Sequence, residues 1–489
     1  MVKVQRDFNT GFSLRRNSGC KIASPFVGRD EELRRIAAAL KLAAEGQGSI
    51  IFLTGQPGIG KTRLAREGLA LAKRDDFTVL GGRAYPVGAG LAYAPFLDAL
   101  APLLRSLDPA RLEGLAGDLP SFGHLFVGLG LPPPEPLNNL SLERTRLFES
   151  VSRFLERVAQ ASPLVLFIDD IHWAEPTTIE LLHYLARGLS NQRVLFLATY
   201  SSDYMCSSEE LQALVAWLER DRLAEEIVID RLGPESVERI VHGILGEEPQ
   251  EDLLALLEAR AKGTPLFIEV LIAALVDSGS LVRNTSQDGG WSLDAEGAKA
   301  LPPTARRLIL IRLAQLEPRD RHVLDLIAIM GEATSYTILR AASKLDEEML
   351  VESLHHLRVR GLVREGAEGT EVVYRITHPL IQEVVYSELS EVQRRFAHLA
   401  AIEALERLRP GDVNRLAHHY CGAGSGARGD RALSALVAAG KRSLNIYANG
   451  DAVRNFAAAL AMVREGRDKR GNRENLSAPQ GVCHCCWRD

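Results

Sequence analysis

Gly55-Gln56-Pro57-Gly58-Ile59-Gly60-Lys61-Thr62 is preceded by the apolar run Ile50-Ile51-Phe52-Leu53 and followed by Arg63-Leu64-Ala65-Arg66. This is G-x-x-x-x-G-K-T set between a strand pattern and a helix pattern, the context that a phosphate-cradling loop requires. Its glycines let the backbone curl until successive N–H groups converge on anionic oxygens. A helix starting near Lys61 aims its positive dipole end at the same oxygens. In this reading Lys61 reaches the outer phosphates of a nucleotide and Thr62 holds Mg²⁺. The alternative, a glycine-rich turn that only ends a strand, would not require both flanks.

Leu164-Val165-Leu166-Phe167-Ile168-Asp169-Asp170 is the second anchor. An apolar strand ending in acids suits a nucleotide-binding sheet, because ligands bind outside the carboxyl ends of its strands. Asp169 is then the Mg²⁺ residue, acting through the ion's water shell. Asp170 is placed to orient or deprotonate an attacking water, or else simply caps the next turn.

Between about Pro25 and Leu232, strand-like runs alternate with helical periodicity. The runs are Ile50–Leu53, Phe77–Leu80, Leu164–Ile168, Val194–Ala198 and Ile227–Ile229. Short apolar strands separated by helices predict a five-stranded parallel sheet covered on both faces, an α/β P-loop NTPase domain over 25–232. The Gly- and Pro-rich stretch Gly88–Leu140 reads as an insertion of helices and loops. After Gly233-Pro234 the chain turns helical, and 233–298 reads as a helical lid. Within 299–390, a helix Asp346–Arg360 ends at Gly361. Leu362-Val363-Arg364 and Val372–Ile376 then flank the turn-rich Glu365–Glu371, which suggests a winged helix. In 391–465, Gly440, Ala452, Phe456 and Ala459 fit part of a tetratricopeptide pattern. One such repeat cannot bury its own apolar face, so the array is cut short or packs on a preceding domain. Residues 1–24 read as a mobile, mildly basic leader. Residues 466–489 read as a disordered or atypical tail whose Cys483-His484-Cys485-Cys486 is too crowded for an ordinary metal site.

The chain has 489 residues, 46% hydrophobic and 25% charged, enough for roughly three globular domains. A net charge of -5 argues against a broadly basic nucleic-acid-binding surface. Cys20, Cys206 and Cys421 are isolated, which argues against a disulfide framework and fits a reducing cytoplasm. The most apolar stretch, Leu266–Val276, is short and carries Glu269, so no membrane span is expected.

Four separated motifs carry a family resemblance over roughly residues 25–465. They are Phe26-Val27-Gly28-Arg29-Asp30-Glu31-Glu32-Leu33, the phosphate loop with Asp169-Asp170-Ile171-His172-Trp173-Ala174-Glu175, Gly263-Thr264-Pro265-Leu266-Phe267-Ile268-Glu269, and Tyr374-Arg375-Ile376-Thr377-His378-Pro379-Leu380-Ile381. Together they resemble the signal-transducing STAND-type ATPases related to AAA+ proteins. The cassette is similar to that of large LuxR-type transcriptional regulators and to those attached to bacterial nucleotide cyclases and Ser/Thr kinases.

The resemblance implies bound ATP or ADP with Mg²⁺. Val27 and Arg29 would border the nucleotide near its base, and Pro265 would pack on adenine. Gly55, Gly58, Gly60, Lys61, Thr62 and Arg63 would hold the phosphates, Lys61 and Asp170 would serve catalysis, and Thr62 and Asp169 would hold the metal. His378 resembles a histidine that touches the diphosphate of ADP in the closed state, although a His before a helix is also a natural cap. One departure stands out: the family's Thr-Tyr-Arg is here Thr199-Tyr200-Ser201. Ser201 cannot supply the charged fork that senses a γ-phosphate, so slow hydrolysis is expected.

The implied function is a nucleotide-controlled signalling switch of the transcriptional-regulator type without its output domain. A protein or small-molecule inducer would bind the C-terminal helices, and ATP could drive self-association. A DNA-binding AAA+ protein acting through the winged helix is the second reading. The acids at Asp346, Glu347, Glu348 and Glu352 on its candidate helix speak against direct DNA contact. A truncated nucleotide-binding remnant without activity is the third.

Overall fold

The computed structural model describes residues 13–15, 21–85, 92–119, 121–126, 137, 139–205, 208–283, 291–294, 304–331, 333–368, 370–424 and 429–470. Most of the expected leader, Cys20, Cys206 and the Cys483–Cys486 cluster lie outside the described residues.

The apolar runs do form strands, and their alternation divides two cores. In β1 (Ser49–Gly55), Ile50 and Phe52 enter one cluster while Ile51 and Leu53 enter another. In β3 (Leu164–Asp169), Leu164, Leu166 and Ile168 go with the first, and Val165 and Phe167 with the second. Period-two side chains with both faces covered produce continuous apolar strands, as a parallel sheet demands. The other strands are β2 (Thr78–Arg83), β4 (Val194–Ser201) and β5 (Ala224–Val228). All pair in parallel, in the order β2-β3-β4-β1-β5.

The strand boundaries differ from the apolar runs, and the differences in β2 and β5 are instructive. β2 runs on through Gly81 and Gly82 to Arg83, because β3 offers ladder partners as far as Asp169. β5 begins earlier than expected, at Ala224, where the edge of β1 is free to pair. The first difference matters: it carries Arg83 to the carboxyl edge of the sheet.

Helices α1 (Asp30–Ala44) and α2 (Lys61–Arg74) cover one face. The insertion covers the other, with Phe122 stacked on Phe154 at 4.5 Å between ring centroids. Three helices follow the sheet: Pro234–Leu245, Glu251–Ala261 and α3 (Pro265–Asp277). Gly246 ends the first in the left-handed conformation, as read from the sequence. The apolar stretch in α3 is core on nearly every side, with Ile268, Val270, Leu271, Ile272, Ala273, Ala274 and Leu275 all buried. No described helix is long and apolar enough to cross a membrane.

Beyond the lid, Asp346 caps α4 (Glu347–Val359), whose helix leads to β6 (Val363–Glu368), β7 (Glu371–Ile376) and α5 (Pro379–Glu388). β6 and β7 pair antiparallel from Val363–Ile376 to Glu368–Glu371, so the hairpin continues through much of the turn-rich stretch. Thr334–Ser335 adds a short third strand beside β7.

Two helix pairs end the described chain: Glu391–Leu408 with Val413–Ala423, and Asp430–Asn445 with Asn449–Arg470. In the second pair the Phe456 ring lies where a side chain on Gly440 would sit. The turn between these last helices reaches back to the insertion on the sheet: Ile446, Tyr447 and Ala448 join that core. Tyr447 Oη donates to Glu143 at 2.9 Å, and Arg454 pairs with Glu175 at 2.8 Å. The C-terminal helices thus meet the first domain as well as their own neighbours.

Candidate functional site

The phosphate loop joins β1 to α2, and its shape depends on glycine. Gly58 has φ +79°, and a Cβ there would approach Leu266 of α3 to 2.8 Å. Leu266 N also donates to Gly58 O at 3.2 Å, so the lid helix rests directly on the loop. Lys61, the first residue of α2, is buried and donates from Nζ to Gly55 O at 2.8 Å and Gln56 O at 3.0 Å. Burial lowers its pKa, partly offset by Asp170 and Asp169.

Thr62 donates to Asp169 Oδ1 at 2.8 Å, joining the two sequence anchors. Thr199 of β4, the strand lying between them, donates to the same oxygen at 2.7 Å and accepts from Asp170 N at 2.8 Å. Arg83 from the end of β2 donates to Asp170 Oδ2 at 2.6 Å and stands 3.8 Å from Asp169 Oδ2. Burial pushes Asp169 upward, but Arg83, Thr199, Arg66 and Thr62 outweigh it and hold its carboxyl below the ordinary value. Asp170 goes the other way: burial and the Asp169 charge raise it against the pull of Arg83. The divergence separates an ionised acid suited to a metal from one suited to accepting a proton. Asp170 also has φ +55°, so it opens the turn Ile171–Trp173 without capping it through its side chain.

A cavity of about 220 Å³ lies over these groups. Val27, Arg29, Gly58, Gly60, Lys61, Thr62, Arg63, Asp170, Pro265 and His378 line it, drawn from motifs hundreds of residues apart in sequence. Arg29 also performs a structural task. Its Nη2 donates to Ile59 O at 3.4 Å and Asp230 O at 2.5 Å, fastening the phosphate loop to the segment after β5. His378 Nδ1 accepts from Leu380 N at 3.1 Å, so it caps α5 while facing the cavity. Burial, Arg83, Lys61 and Arg364 hold His378 down to about 3, against the opposing pull of Asp169. Ser201 reaches the cavity as well, and its buried Oγ has no hydrogen-bond partner.

Sequence reading missed several lining groups. Arg66 lies one helical turn beyond Thr62, and Arg364 comes from β6. The Nε atoms of both are buried without a hydrogen-bond partner. Burial, opposed in part by Asp169, lowers Arg66 to about 10, and burial with the charges of Arg66 and Arg83 lowers Arg364 to about 9. His172 is lowered to about 4 by burial and Lys61, and its Nδ1 accepts from Ser201 N at 3.4 Å. It stacks on Tyr204, which donates to Glu383 of α5 at 3.1 Å. Trp173 packs beside Tyr204. Glu269 on α3 accepts from Ser24 at 2.5 Å, and burial raises it to about 7. Position alone could have flagged Arg83, at the carboxyl end of a strand. Nothing local marks Arg364 or Glu383.

Cationic side chains with unsatisfied N–H groups, beside a glycine cradle, are suited to an anion. Residues 25–197 match the AAA ATPase domain family. That stretch carries the phosphate loop and the strand ending in Asp169, and the fold is similar to that of a solved STAND protein. A STAND protein with a tetratricopeptide repeat sensor from Pyrococcus horikoshii superposes with a TM-score of 0.51 at 16% identity, over 91% of this chain and 59% of that one. An uncharacterised protein of Rhizobium meliloti (strain 1021) is 24% identical over 453 residues, 86% of this chain. This chain spans only 41% of that relative's length. The ORC1 protein of Aeropyrum pernix, solved in complex with DNA, gives a TM-score of 0.34 at 18% identity, over 75% of this chain and 94% of that one. A likeness that low carries no argument.

Proposed function

We propose that the protein is an ATP/ADP-binding signal-transduction switch with slow Mg²⁺-dependent hydrolysis. The observation that carries this reading is the single cavity lined by the phosphate loop, the lid residue Pro265 and the far wall with Arg364 and His378. Gly55, Gly58, Gly60, Lys61, Thr62 and Arg63 would hold the phosphates, with Val27, Arg29 and Pro265 around the base. Thr62 and Asp169 would hold Mg²⁺, and the ion would supply charge neutralisation at the outer phosphates. Asp170 is suited to accept a proton, and Ser201 offers no charged contact to the γ-phosphate.

The hairpin unit, read as a winged helix, would belong to the closed state because His378 and Arg364 come from it. A diphosphate bridging the two walls would favour closure, and a triphosphate would shift the population toward an open form. The C-terminal helices would take an inducer or protein partner, and release would permit self-association, as in a transcriptional-regulator ATPase. Direct DNA binding finds less support. On α4, Glu347 pairs with Arg340 at 3.2 Å and Glu352 with Arg319 at 2.9 Å, while Arg358 is held by Glu365 at 3.0 Å. Those basic groups already have acidic partners.

The test is to identify the nucleotide that copurifies with the full chain and to measure mass in solution with ADP and with ATP. Bound ADP in a monomer and a larger species with ATP are expected. A chain that carries no nucleotide and keeps one mass under both conditions would overturn the switch.

A further inference from the structure

Helices Glu391–Leu408 and Val413–Ala423 lie side by side and bring three histidines together, remote from the nucleotide cavity in sequence and not used by it. His398 and His419 are each 1% exposed, and their Nδ1 atoms stand 2.9 Å apart. His418 completes the group, with ring centroids 5.8 Å from His398 and 5.1 Å from His419. One nitrogen from each of the three lies within 4.8 Å of the others.

Two further observations set this cluster apart from ordinary core packing. The Nε2 of His418 is buried with no hydrogen-bond partner, a state that native interiors seldom leave uncompensated. Gly422 also gives the His398 ring its place, since a Cβ there would sit 2.3 Å from His398 Nε2.

We infer that His398, His418 and His419 form a binding site for a late transition-metal ion of the Zn²⁺ class. Three imidazoles with a fourth position open to solvent or another ligand are a known donor set for that ion, at about 2.0–2.1 Å from each nitrogen. Bonding requires the rings to turn so that nitrogens now up to 4.8 Å apart converge on one ion, with the hydrogen bond between His398 and His419 giving way to the metal. Burial holds His398 and His418 down to about 4 and His419 well below its ordinary value, so all three are neutral ligands at pH 7. Arg394 and Arg415 add positive charge nearby that opposes any cation equally, so the selection lies in the donors, which are all nitrogen with no carboxylate. That chemistry selects nitrogen-seeking metals over Mg²⁺ or Ca²⁺, which take oxygen ligands. An ion here would tie the helix leaving the hairpin unit to the next helix of the C-terminal array.

The test uses the full-length chain with Cys483→Ser, Cys485→Ser and Cys486→Ser, which removes the tail thiols as competing ligands. Nucleotide-free protein in excess Mg²⁺ is titrated with Zn²⁺ alone by calorimetry. One Zn²⁺ per chain and a rise in Tm are expected. His418→Gln, at a half-buried position, should weaken binding by more than about 100-fold, beyond what loss of an outer partner costs. Gly422→Ala keeps every nitrogen but displaces the His398 ring, and should weaken binding at least tenfold. Circular dichroism without metal establishes that each variant is folded. No Zn²⁺ binding by the folded parent, or binding undiminished in His418→Gln, would overturn the site.

Discussion

The two walls of the nucleotide cavity solve the same electrostatic problem in opposite ways. On the sheet wall the charges nearest the phosphate loop have partners, with the Arg66 Nε as the exception: Lys61 bonds to its own loop, Arg83 clamps Asp170, and Asp169 collects Thr62 and Thr199. On the facing wall Arg364 keeps a buried N–H without a partner, and His378 is held neutral. A paired wall keeps its shape whether or not anything is bound. An unpaired wall gains most when an anion arrives, because a buried unsatisfied donor costs about 1–3 kcal/mol. The first wall therefore suits binding, and the second suits sensing what is bound.

The largest expected effect comes from breaking the paired wall. Lys61→Ala should weaken both ADP and ATP by about 100-fold, the scale of a lost charge-assisted contact. Calorimetry with each nucleotide measures it. Affinity within twofold of the parent would remove Lys61 from the phosphate site.

A second change sharpens the role of a gap in the paired wall, at Ser201. Ser201→Arg would place a guanidinium where the Ser201 hydroxyl now faces the cavity without a partner. Single-turnover phosphate release should rise about tenfold, a small part of what an arginine at a γ-phosphate can supply. No acceleration, with ATP still bound, would show that slow hydrolysis has another source.

Breaking the unpaired wall should act selectively. Arg364→Ala should weaken ADP about tenfold but ATP less, if the closed state is the ADP state. Equal losses for the two nucleotides would assign Arg364 to plain phosphate binding. Tyr204→Phe, which removes only the bond to Glu383 across the walls, should change affinity by a few-fold at most and speed ADP release.

The same contrast explains what the sequence disclosed. The paired wall was legible because a phosphate loop compresses backbone curl, cation and metal ligand into eight consecutive residues, and an apolar strand ending in Asp169-Asp170 announces its carboxyl edge. Five strands were legible from apolar runs, and Arg83, three residues past one of them, was within reach of that reading, but that its strand continues through Gly81 and Gly82 is shown by pairing alone. The motif around Pro265 was found, but not that Leu266 would rest on Gly58. His378 was noticed through family resemblance, with a helix cap as the alternative; that it caps α5 and faces the cavity at once needed coordinates. Arg364, Glu383 and the three-histidine group have no local signature. Only the packing of a hairpin over a sheet, or of one helix on the next, brings them to a site.

The subtlest predicted effect is a pH dependence that isolates His378. In the unfolded chain a histidine titrates near 6.5, whereas in the ligand-free fold this one is held down to about 3 by burial, Arg83, Lys61 and Arg364. Below pH 6.5 the unfolded state takes up a proton that the native state refuses. The stability contributed is therefore complete above about pH 6.5 and is lost as pH falls toward 3. A diphosphate beside His378 reverses the local field and raises its pKa, so ADP binding should take up a proton in that window. ADP affinity should rise severalfold, and by no more than about tenfold per unit, as pH falls from 7.5 to 5.5. Thermal shift by ADP at the two pH values measures this. Because ADP phosphate itself titrates near pH 6, the decisive quantity is the difference between the parent and His378→Gln. If the variant shows the same pH dependence as the parent, the histidine serves as a helix cap alone, and sensing on that wall falls to Arg364.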